Sequence, residues 1–336
     1  MVNICICGGG NLGHVTAGFL AAQEGNHVTV LTRRPEEWAE ILEVTDMEGR
    51  VFRGDVHPTA DVAAAVSMAD IVIVCLPGYA IHDELEKIRD FLKSTAIVGT
   101  VVSSTGFFFE AFKVLPEHIG LFGFQRVPFI SRVKDYGHSA ELKGYKASLN
   151  IAVERTADKE AVRQQIEALF KTPVCLLRSY YDVSLSNSNP LLHTARLFTM
   201  FGDWEEGKVY ERNPQFYADW TVEASDLYIA MDGELQRLLE ILPVDKGSIP
   251  PVLEYYESHD AKSLTEKIKS IPAFRNILSP MQETSEGLVP DFRSRYFTED
   301  FPYGMRFIVE TAAEHGIKIP LIQEVYQWGM SKIEKA

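Results

Sequence analysis

The glycine-rich turn at residues 8–13 constrains the fold of this chain more than any other feature of its sequence. A short apolar run (VNICIC) ends abruptly at GGGNLG, and an Ala-rich stretch of helical character follows. The turn therefore reads G-x-G-x-x-G between a predicted strand and a predicted helix. Gly8 permits a tight turn, Gly10 leaves room for a pyrophosphate to approach the backbone, and Gly13 lets helix and strand pack closely.

This arrangement predicts a binding site for a dinucleotide cofactor. The N terminus of the following helix offers free N–H groups and the positive end of the helix dipole to phosphate groups. A later apolar run, at residues 70–76, is typical of a buried parallel strand whose carboxyl end borders the same site. The residues expected to line the site are therefore Gly8, Gly10, Asn11, Leu12, Gly13, Leu76 and Pro77.

The end of the second predicted strand, at residues 27–31, bears on the choice of cofactor. In a first βαβ unit this end meets the adenosine ribose, where an acidic residue would bind the 2′-hydroxyl of NAD. Here Thr32, Arg33 and Arg34 follow instead. Guanidinium groups pair well with a 2′-phosphate and stack on adenine. The sequence thus favours NADP over NAD, the alternative being that the two arginines only begin a solvated loop.

Length and charge narrow the class of protein. A chain of 336 residues predicts two domains. Its formal charge of -14 opposes general binding to nucleic acid or to anionic membranes. No signal peptide or membrane-spanning run is visible, so we expect a soluble, cytoplasmic protein. The four cysteines lie in apolar runs and read as buried, reduced thiols, and no metal site is predicted.

Predicted strands and helices alternate from residue 2 to about residue 178, which indicates an α/β Rossmann-type doubly wound domain. Within it, residues 36–44 read as a helix and residues 50–58 as an irregular or hairpin segment. From Tyr180 onwards helical periodicity dominates, with one long helix expected over residues 220–242. The prediction is a Rossmann-like domain at 1–179 and an all-α substrate or catalytic domain at 180–336, packed around a cleft.

Two segments of the predicted helical domain stand out by composition. Residues 186–193 (SNSNPLLH) form a polar turn leading into a helix, with Asn189 as a candidate cap and Pro190 at the first helical position. His193 then lies in the first turn. Residues 291–304 (DFRSRYFTEDFPYG) are dense in arginine and acidic side chains.

These two segments, the glycine turn and the GIKIP segment at 316–320 resemble the octopine/nopaline (opine) dehydrogenase family. Its members join a Rossmann domain to a helical domain related to that of 6-phosphogluconate dehydrogenase. The resemblance implies reductive condensation of a 2-oxo acid with an amino acid by NAD(P)H. It also implies a catalytic dyad of His193 and Asp300, with Arg295 binding the oxo-acid carboxylate. One departure is Thr194, where the family often has proline.

The implied roles suit the chemistry of these side chains. Histidine, with an ordinary pKa near 6.5, exchanges protons at neutral pH, and an aspartate fixes its tautomer. An arginine fork binds a carboxylate through two hydrogen bonds. The alternatives are a histidine that merely belongs to the helix start and a structural salt bridge between Arg295 and Asp300. Asn189 and Gln125 are weaker candidates for substrate binding, Gln125 being equally consistent with a surface loop.

Two other functions remain open from the sequence. A ketopantoate-reductase-like reductase of 2-oxo or 3-hydroxy acids shares this architecture but usually carries a catalytic lysine, and no lysine occurs between Lys171 and Lys208. A non-catalytic sensor that binds NADP is the second. The expected partners are small-molecule substrates, neither nucleic acid nor a membrane. The long apolar stripe at 220–242 fits a homodimer or the domain's own core.

Overall fold

The computed structural model describes residues 1–336, which form two compact units, Met1–Ser186 and Asn187–Ala336. The boundary expected after residue 179 falls at the start of a short helix, Tyr180–Ser184, which belongs to the first unit. None of the helices combines the length and the apolar character that crossing a membrane would require.

The first unit is built on a large sheet. Its strands are β1 Val2–Cys7, β2 Asn26–Leu31, β3 Ile41–Asp46, β4 Val51–Thr59, β5 Ile71–Val74, β6 Ile97–Thr100, β7 Gly120–Phe124, β8 Phe129–Asp135, β9 Ser139–Tyr145, β10 Leu149–Glu154 and β11 Val174–Leu176. Its helices are α1 Asn11–Ala21, α2 Val62–Val66, α3 Gly78–Ile88, α4 Phe107–Val114, α5 Lys159–Phe170 and α6 Tyr180–Ser184. Short 3-10 turns occupy Pro35–Glu37, Arg89–Phe91 and Ser103–Thr105.

The order of the strands places the glycine turn at a topological switch point. The sheet runs β11-β10-β7-β6-β5-β1-β2-β4-β3-β9-β8. Strand β1 pairs in parallel with β2 on one side and with β5 on the other. Successive connections therefore leave β1 in opposite directions, and ligands of such sheets bind outside the carboxyl ends at this point. The turn after β1 and the segment after β5 meet this condition.

The sheet is covered on both faces, as a doubly wound sheet must be. Ile4 and Ile6 of β1 join a buried cluster with residues of α1 and α5. Cys5 and Cys7 point to the opposite face and join a second cluster with residues of α3 and α4. The alternation follows from the period-two geometry of a strand. The predicted Rossmann-type domain is confirmed.

The helix predicted at residues 36–44 is wrong. A single 3-10 turn is followed by strand β3, which pairs antiparallel with β4 and in parallel with β9. Leu42 and Val44, two residues apart, both face inwards, as alternate residues of a strand do. They pack against α1 at Gly18, which has no side chain to block the contact. Strands β8 and β9, which the sequence did not reveal, extend the sheet beyond β3. Cys175 is exposed, whereas Cys5, Cys7 and Cys75 are buried as expected.

The second unit is mainly helical. Its elements are α7 Asn189–Phe201, α8 Val222–Leu239, α9 Val252–Tyr255, α10 Ala261–Ser270, the hairpin β12 Met281–Thr284 and β13 Gly287–Pro290, α11 Arg295–Thr298, α12 Arg306–Glu314 and α13 Pro320–Ile333. A 3-10 turn at Pro272–Phe274 and a π-helical turn at Phe301–Met305 complete it. The long helix predicted over 220–242 is α8, which Thr221 caps through a hydrogen bond from the Ala224 N–H.

Candidate active site

The three glycines of the G-x-G-x-x-G pattern, Gly8, Gly10 and Gly13, have three different surroundings. Gly8 has a φ of +114°, a conformation that side chains rarely adopt. A Cβ at Gly13 would lie 1.9 Å from the carbonyl oxygen of Gly8, so helix and turn touch there. A Cβ at Gly10 would meet nothing within 4 Å. Gly8 and Gly13 are thus required by the fold, whereas the empty space beside Gly10 is what a pyrophosphate needs.

The start of α1 suits an anion. Gly10 caps the helix without any side-chain hydrogen bond, and no acidic residue lies in the first turn. The N–H groups of that turn and the positive end of the helix dipole are therefore available to phosphate oxygens. Leu76 packs beside the turn, its Cδ2 atom being 2.8 Å from a Cβ built on Gly8. Pro77 precedes α3 as its cap residue. These residues fit a bound dinucleotide.

Two side chains of α1 tie this turn to the distant β8–β9 hairpin. Asn11 Oδ1 accepts a hydrogen bond of 2.8 Å from the Val133 N–H. The buried His14 ring accepts a bond of 2.7 Å at Nε2 from the Gly137 N–H, while Nδ1 lies 3.1 Å from the Gly10 carbonyl oxygen. Because a carbonyl only accepts, Nδ1 carries the hydrogen and the ring is neutral. His14 is thus a structural histidine.

The segment after β2 carries two arginines whose surroundings differ. Thr32 is buried, and its hydroxyl oxygen accepts a long bond of 3.4 Å from the Arg34 N–H. Arg34 pairs with Glu37 at 2.9 Å and lies 4.3 Å from the ring centre of Tyr136. Arg33 is exposed. Arg34 is therefore already neutralised by a carboxylate, and Arg33 is the better placed of the two to meet a 2′-phosphate.

In the second unit, His193 and Asp300 come together although they are 107 residues apart in sequence. Nδ1 of His193 lies 2.7 Å from Oδ2 of Asp300. The side chains are only 11% and 16% exposed, so water competes weakly for this contact. Since the carboxylate accepts, Nδ1 carries a hydrogen, and Nε2 is the ring nitrogen that does not face Asp300.

The backbone at Asp300 is shaped by the π-helical turn that it precedes. Such turns are rare and often occur at functional sites. Gly304 lets this turn approach the start of α7, where a Cβ would lie 2.6 Å from Pro190 Cγ. Gly329 of α13 likewise makes room for the ring of Phe301. Close packing at two glycines therefore fixes Asp300 beside the helix that carries His193.

An aromatic cluster, which no motif of the sequence indicated, surrounds the imidazole. The hydroxyl of Tyr217 lies 2.7 Å from His193 Nε2. Tyr296 packs edge-on against the imidazole, with ring centres 4.8 Å apart. The buried guanidinium of Arg196 donates to the carbonyls of Phe216 and Asp219, and burial lowers its pKa to about 10.

Three candidate substrate residues have other partners in this structure. Arg295 forms a two-bond ion pair with Glu299, at 2.8 and 2.9 Å, rather than with Asp300. Gln125 donates to the Asp182 carbonyl and accepts from the Asn150 amide. Asn189 is not the helix cap: Ser188 occupies that position, and the Asn189 N–H donates to Asn187 Oδ1.

Comparison with known proteins agrees with this architecture. Residues 176–333 match the family model of the NAD/NADP octopine/nopaline dehydrogenase alpha-helical domain, and residues 4–105 match that of ketopantoate reductase PanE/ApbA. The octopine dehydrogenase of Pecten maximus is 27% identical over 99% of this chain and 91% of that protein. The tauropine dehydrogenase of Arabella iricolor is 26% identical over 100% and 92%.

Solved structures extend the likeness to three dimensions. Octopine dehydrogenase with NADH and L-arginine has a TM-score of 0.85 at 26% identity, covering 99% of this chain and 90% of that one. Yersinopine dehydrogenase with NADP+ has a TM-score of 0.71 at 11% identity, covering 100% and 91%, a likeness of fold alone. The chain thus carries a helical domain that matches the octopine/nopaline dehydrogenase family model, and it is similar along nearly its whole length to dehydrogenases of the opine type.

Proposed function

We propose that this protein is an NADP-preferring opine dehydrogenase, which condenses a 2-oxo acid with the amine of an amino acid. The observation that carries the proposal is the 2.7 Å contact of His193 with Asp300. Opine, octopine and tauropine dehydrogenases are relatives along nearly the whole chain. Per turnover, one proton is consumed, the carbonyl oxygen leaves as water, and a secondary amine is formed.

His193 and Asp300 have separate roles in this proposed reaction. Bound NADPH supplies the hydride that reduces the carbon of the former carbonyl group. His193 acts as the acid that supplies the proton for the departing oxygen and as the base that takes a proton up in the reverse direction. Asp300 holds the imidazole in one tautomer and stabilises its protonated form, as the third group of a catalytic triad does.

Arg295 is the proposed partner of the oxo-acid carboxylate. Its fork already binds one carboxylate, that of Glu299, with the two-bond geometry that a substrate carboxylate would adopt. The side chain is 82% exposed, so a substrate carboxylate can reach it from solvent. Asn189 and Gln125 remain candidates for substrate contacts, and Gln125 needs to release its present amide partners to take that role.

The preference for NADP is proposed from the end of β2. This position carries no acid to bind a ribose 2′-hydroxyl, and the exposed Arg33 is available for a 2′-phosphate. Arg33→Asp should weaken NADPH binding by about 1.5 to 3 kcal/mol, the range for a charge-assisted hydrogen bond. NADH binding should change little. Equal losses for the two nucleotides would contradict a role of Arg33 in reading the phosphate.

The decisive experiment follows NADPH absorbance with 2-oxo acids, each supplied with and without amino acids. Oxidation that requires both substrates supports the opine reaction. Oxidation with the oxo acid alone would favour a ketopantoate-reductase-like activity, whose family model matches residues 4–105. NADPH binding without turnover would favour a sensor. His193→Ala should lower turnover about 10²- to 10⁴-fold and leave NADPH affinity intact.

A further inference from the structure

Both ring nitrogens of His193 are occupied in this structure. Nδ1 meets Asp300 at 2.7 Å, and Nε2 meets the hydroxyl of Tyr217 at 2.7 Å. Because Nδ1 carries the hydrogen, the neutral ring accepts at Nε2 and Tyr217 donates. The nitrogen that must exchange a proton during the reaction therefore faces a hydroxyl group of the protein itself.

Tyr217 is firmly held in this position. Its side chain is buried, with the residue 5% exposed. Its ring stacks on Phe274, with centres 4.0 Å apart and planes 15° apart, and lies nearly parallel to Trp220. Arg196 fixes the backbone on either side of Tyr217 through the carbonyls of Phe216 and Asp219. Swinging Tyr217 away from Nε2 would break this aromatic stack.

The hydroxyl of Tyr217 also has a second hydroxyl as neighbour. The hydroxyl of Tyr296, whose side chain is only partly buried, is close enough to that of Tyr217 for each to influence the pKa of the other, and the Tyr296 ring packs against the imidazole with centres 4.8 Å apart. Asp300, His193, Tyr217 and Tyr296 thus follow one another from a carboxylate to a partly exposed phenol. A phenol hydroxyl can both donate and accept, so a proton can pass between such groups by successive exchange of hydrogen bonds.

We propose that Tyr217 relays the proton between His193 and the substrate, with Tyr296 as the outer member of the relay. In the reductive direction His193 gives its Nε2 proton to the Tyr217 oxygen. The Tyr217 hydroxyl proton passes to Tyr296, and the Tyr296 hydroxyl proton passes to the carbonyl oxygen that leaves as water. Three O–H bonds form while one N–H and two O–H bonds break, and the imidazole returns to neutral. This inference rests on the proposed function.

The surroundings require that these transfers be concerted. Burial raises the pKa of Tyr217 well above its usual value, and burial also raises the pKa of Tyr296. A free tyrosinate is therefore costly at either position. A relay that hands on one proton as it receives another avoids forming that anion.

The test compares Tyr217→Phe with Tyr210→Phe, a matched control whose hydroxyl donates at 3.3 Å to the Met200 carbonyl in the same unit. Tyr217→Phe keeps the stacked ring and removes only the hydroxyl. We expect its kcat to fall at least about 10-fold, with NADPH affinity and melting temperature close to those of Tyr210→Phe. The double variant with His193→Ala should be no slower than His193→Ala alone, because the groups act as a unit.

The solvent deuterium isotope effect on kcat is a second readout, which would not change if the Tyr217 hydroxyl had only a structural role. The wild type should show a bowl-shaped dependence of kcat on deuterium fraction, indicating several protons in flight, and Tyr217→Phe a weaker isotope effect. Turnover of Tyr217→Phe within twofold of wild type, an increase in its turnover, or losses that multiply with those of His193→Ala would each overturn the relay. If Tyr217→Phe fails to bind NADPH, Tyr296→Phe carries the same test. Wild-type inactivity with every substrate pair would instead refute the proposed function.

Discussion

Replacing His14 by phenylalanine tests how the phosphate-binding turn is held in place. The neutral ring accepts from the Gly137 N–H at 2.7 Å and donates to the Gly10 carbonyl. It also lies 4.2 Å from the ring centre of Trp38 and 5.0 Å from that of Tyr136. Phenylalanine keeps this aromatic packing and removes both hydrogen bonds. The buried Gly137 amide then lacks an acceptor, at a cost of about 1 to 3 kcal/mol of unfolding free energy.

The same side chain predicts a pH dependence. Burial lowers the pKa of His14 below its ordinary value. Above about pH 6.5 the ring is neutral in both folded and unfolded chains, and its contribution to stability is fully present. As the pH falls below that value, the unfolded chain binds the proton first, so stability decreases by up to about 1.4 kcal/mol per pH unit. The decrease ends once the folded-state pKa has been passed.

The assay is urea unfolding at pH 5.5 and 7.5 for wild type, His14→Phe and His259→Phe. The last is a matched control, because the side chain of His259 is 83% exposed. Wild type and control should lose stability between the two pH values, and His14→Phe should lose less. NADPH binding to His14→Phe should also weaken, since the Gly10 carbonyl loses its anchor. Unchanged stability at pH 7.5, or an unaltered pH dependence, would refute the assigned tautomer and bonds.

Four further substitutions test the packing described above. Gly10→Ala should fold normally and lose NADPH affinity, whereas Gly13→Ala should destabilise the fold. The reason is that a Cβ at Gly13 would lie 1.9 Å from the Gly8 carbonyl oxygen, while a Cβ at Gly10 meets no protein atom. Thermal melting measures the loss of stability, and nucleotide titration measures the loss of affinity. Arg196→Met should cost about 3 kcal/mol of unfolding free energy, since the carbonyls of Phe216 and Asp219 both lose a charged donor, and urea unfolding measures it. Gly304→Ala should displace the turn behind Asp300 and lower kcat on the order of 10- to 100-fold, with NADPH affinity unchanged in steady-state and binding assays.

The parts of the fold that depend on local pattern could be predicted from the sequence. The glycine turn, the strands around it and the long helix α8 all carry a period or a turn signal within a short window. Strand β3 was mistaken for a helix because its alternation is short and its register depends on β9, a strand almost a hundred residues later. Long-range pairing of this kind leaves little trace in a single local window.

The candidate site, like the fold, could be predicted from the sequence only in part. The pair of His193 and Asp300 was implied by the family that two motifs resemble, but their 2.7 Å contact depends on a π-helical turn that no motif indicates. Arg295 illustrates a second limit. The sequence places an arginine next to several acids, and only the three-dimensional structure shows that Glu299, four residues later, is its partner here. Spacing of i and i+4 on a helix favours that pair, so this signal was present in the sequence but outweighed by the resemblance.

Tyr217 was missed because its segment, NPQFYADW at 213–220, reads as ordinary core. The sequence of α7 does contain an indication of the role of Tyr217. Arg196 follows His193 by three residues, a spacing that puts both side chains on one face of a helix. An arginine on the inward face of a buried helix needs partners, and here they are the carbonyls that flank Tyr217. The helix that carries the proposed acid and base therefore also anchors the hydroxyl that meets its Nε2. A substitution at Arg196 should for this reason disturb both stability and proton transfer, whereas one at Tyr217 that keeps the ring should disturb proton transfer alone.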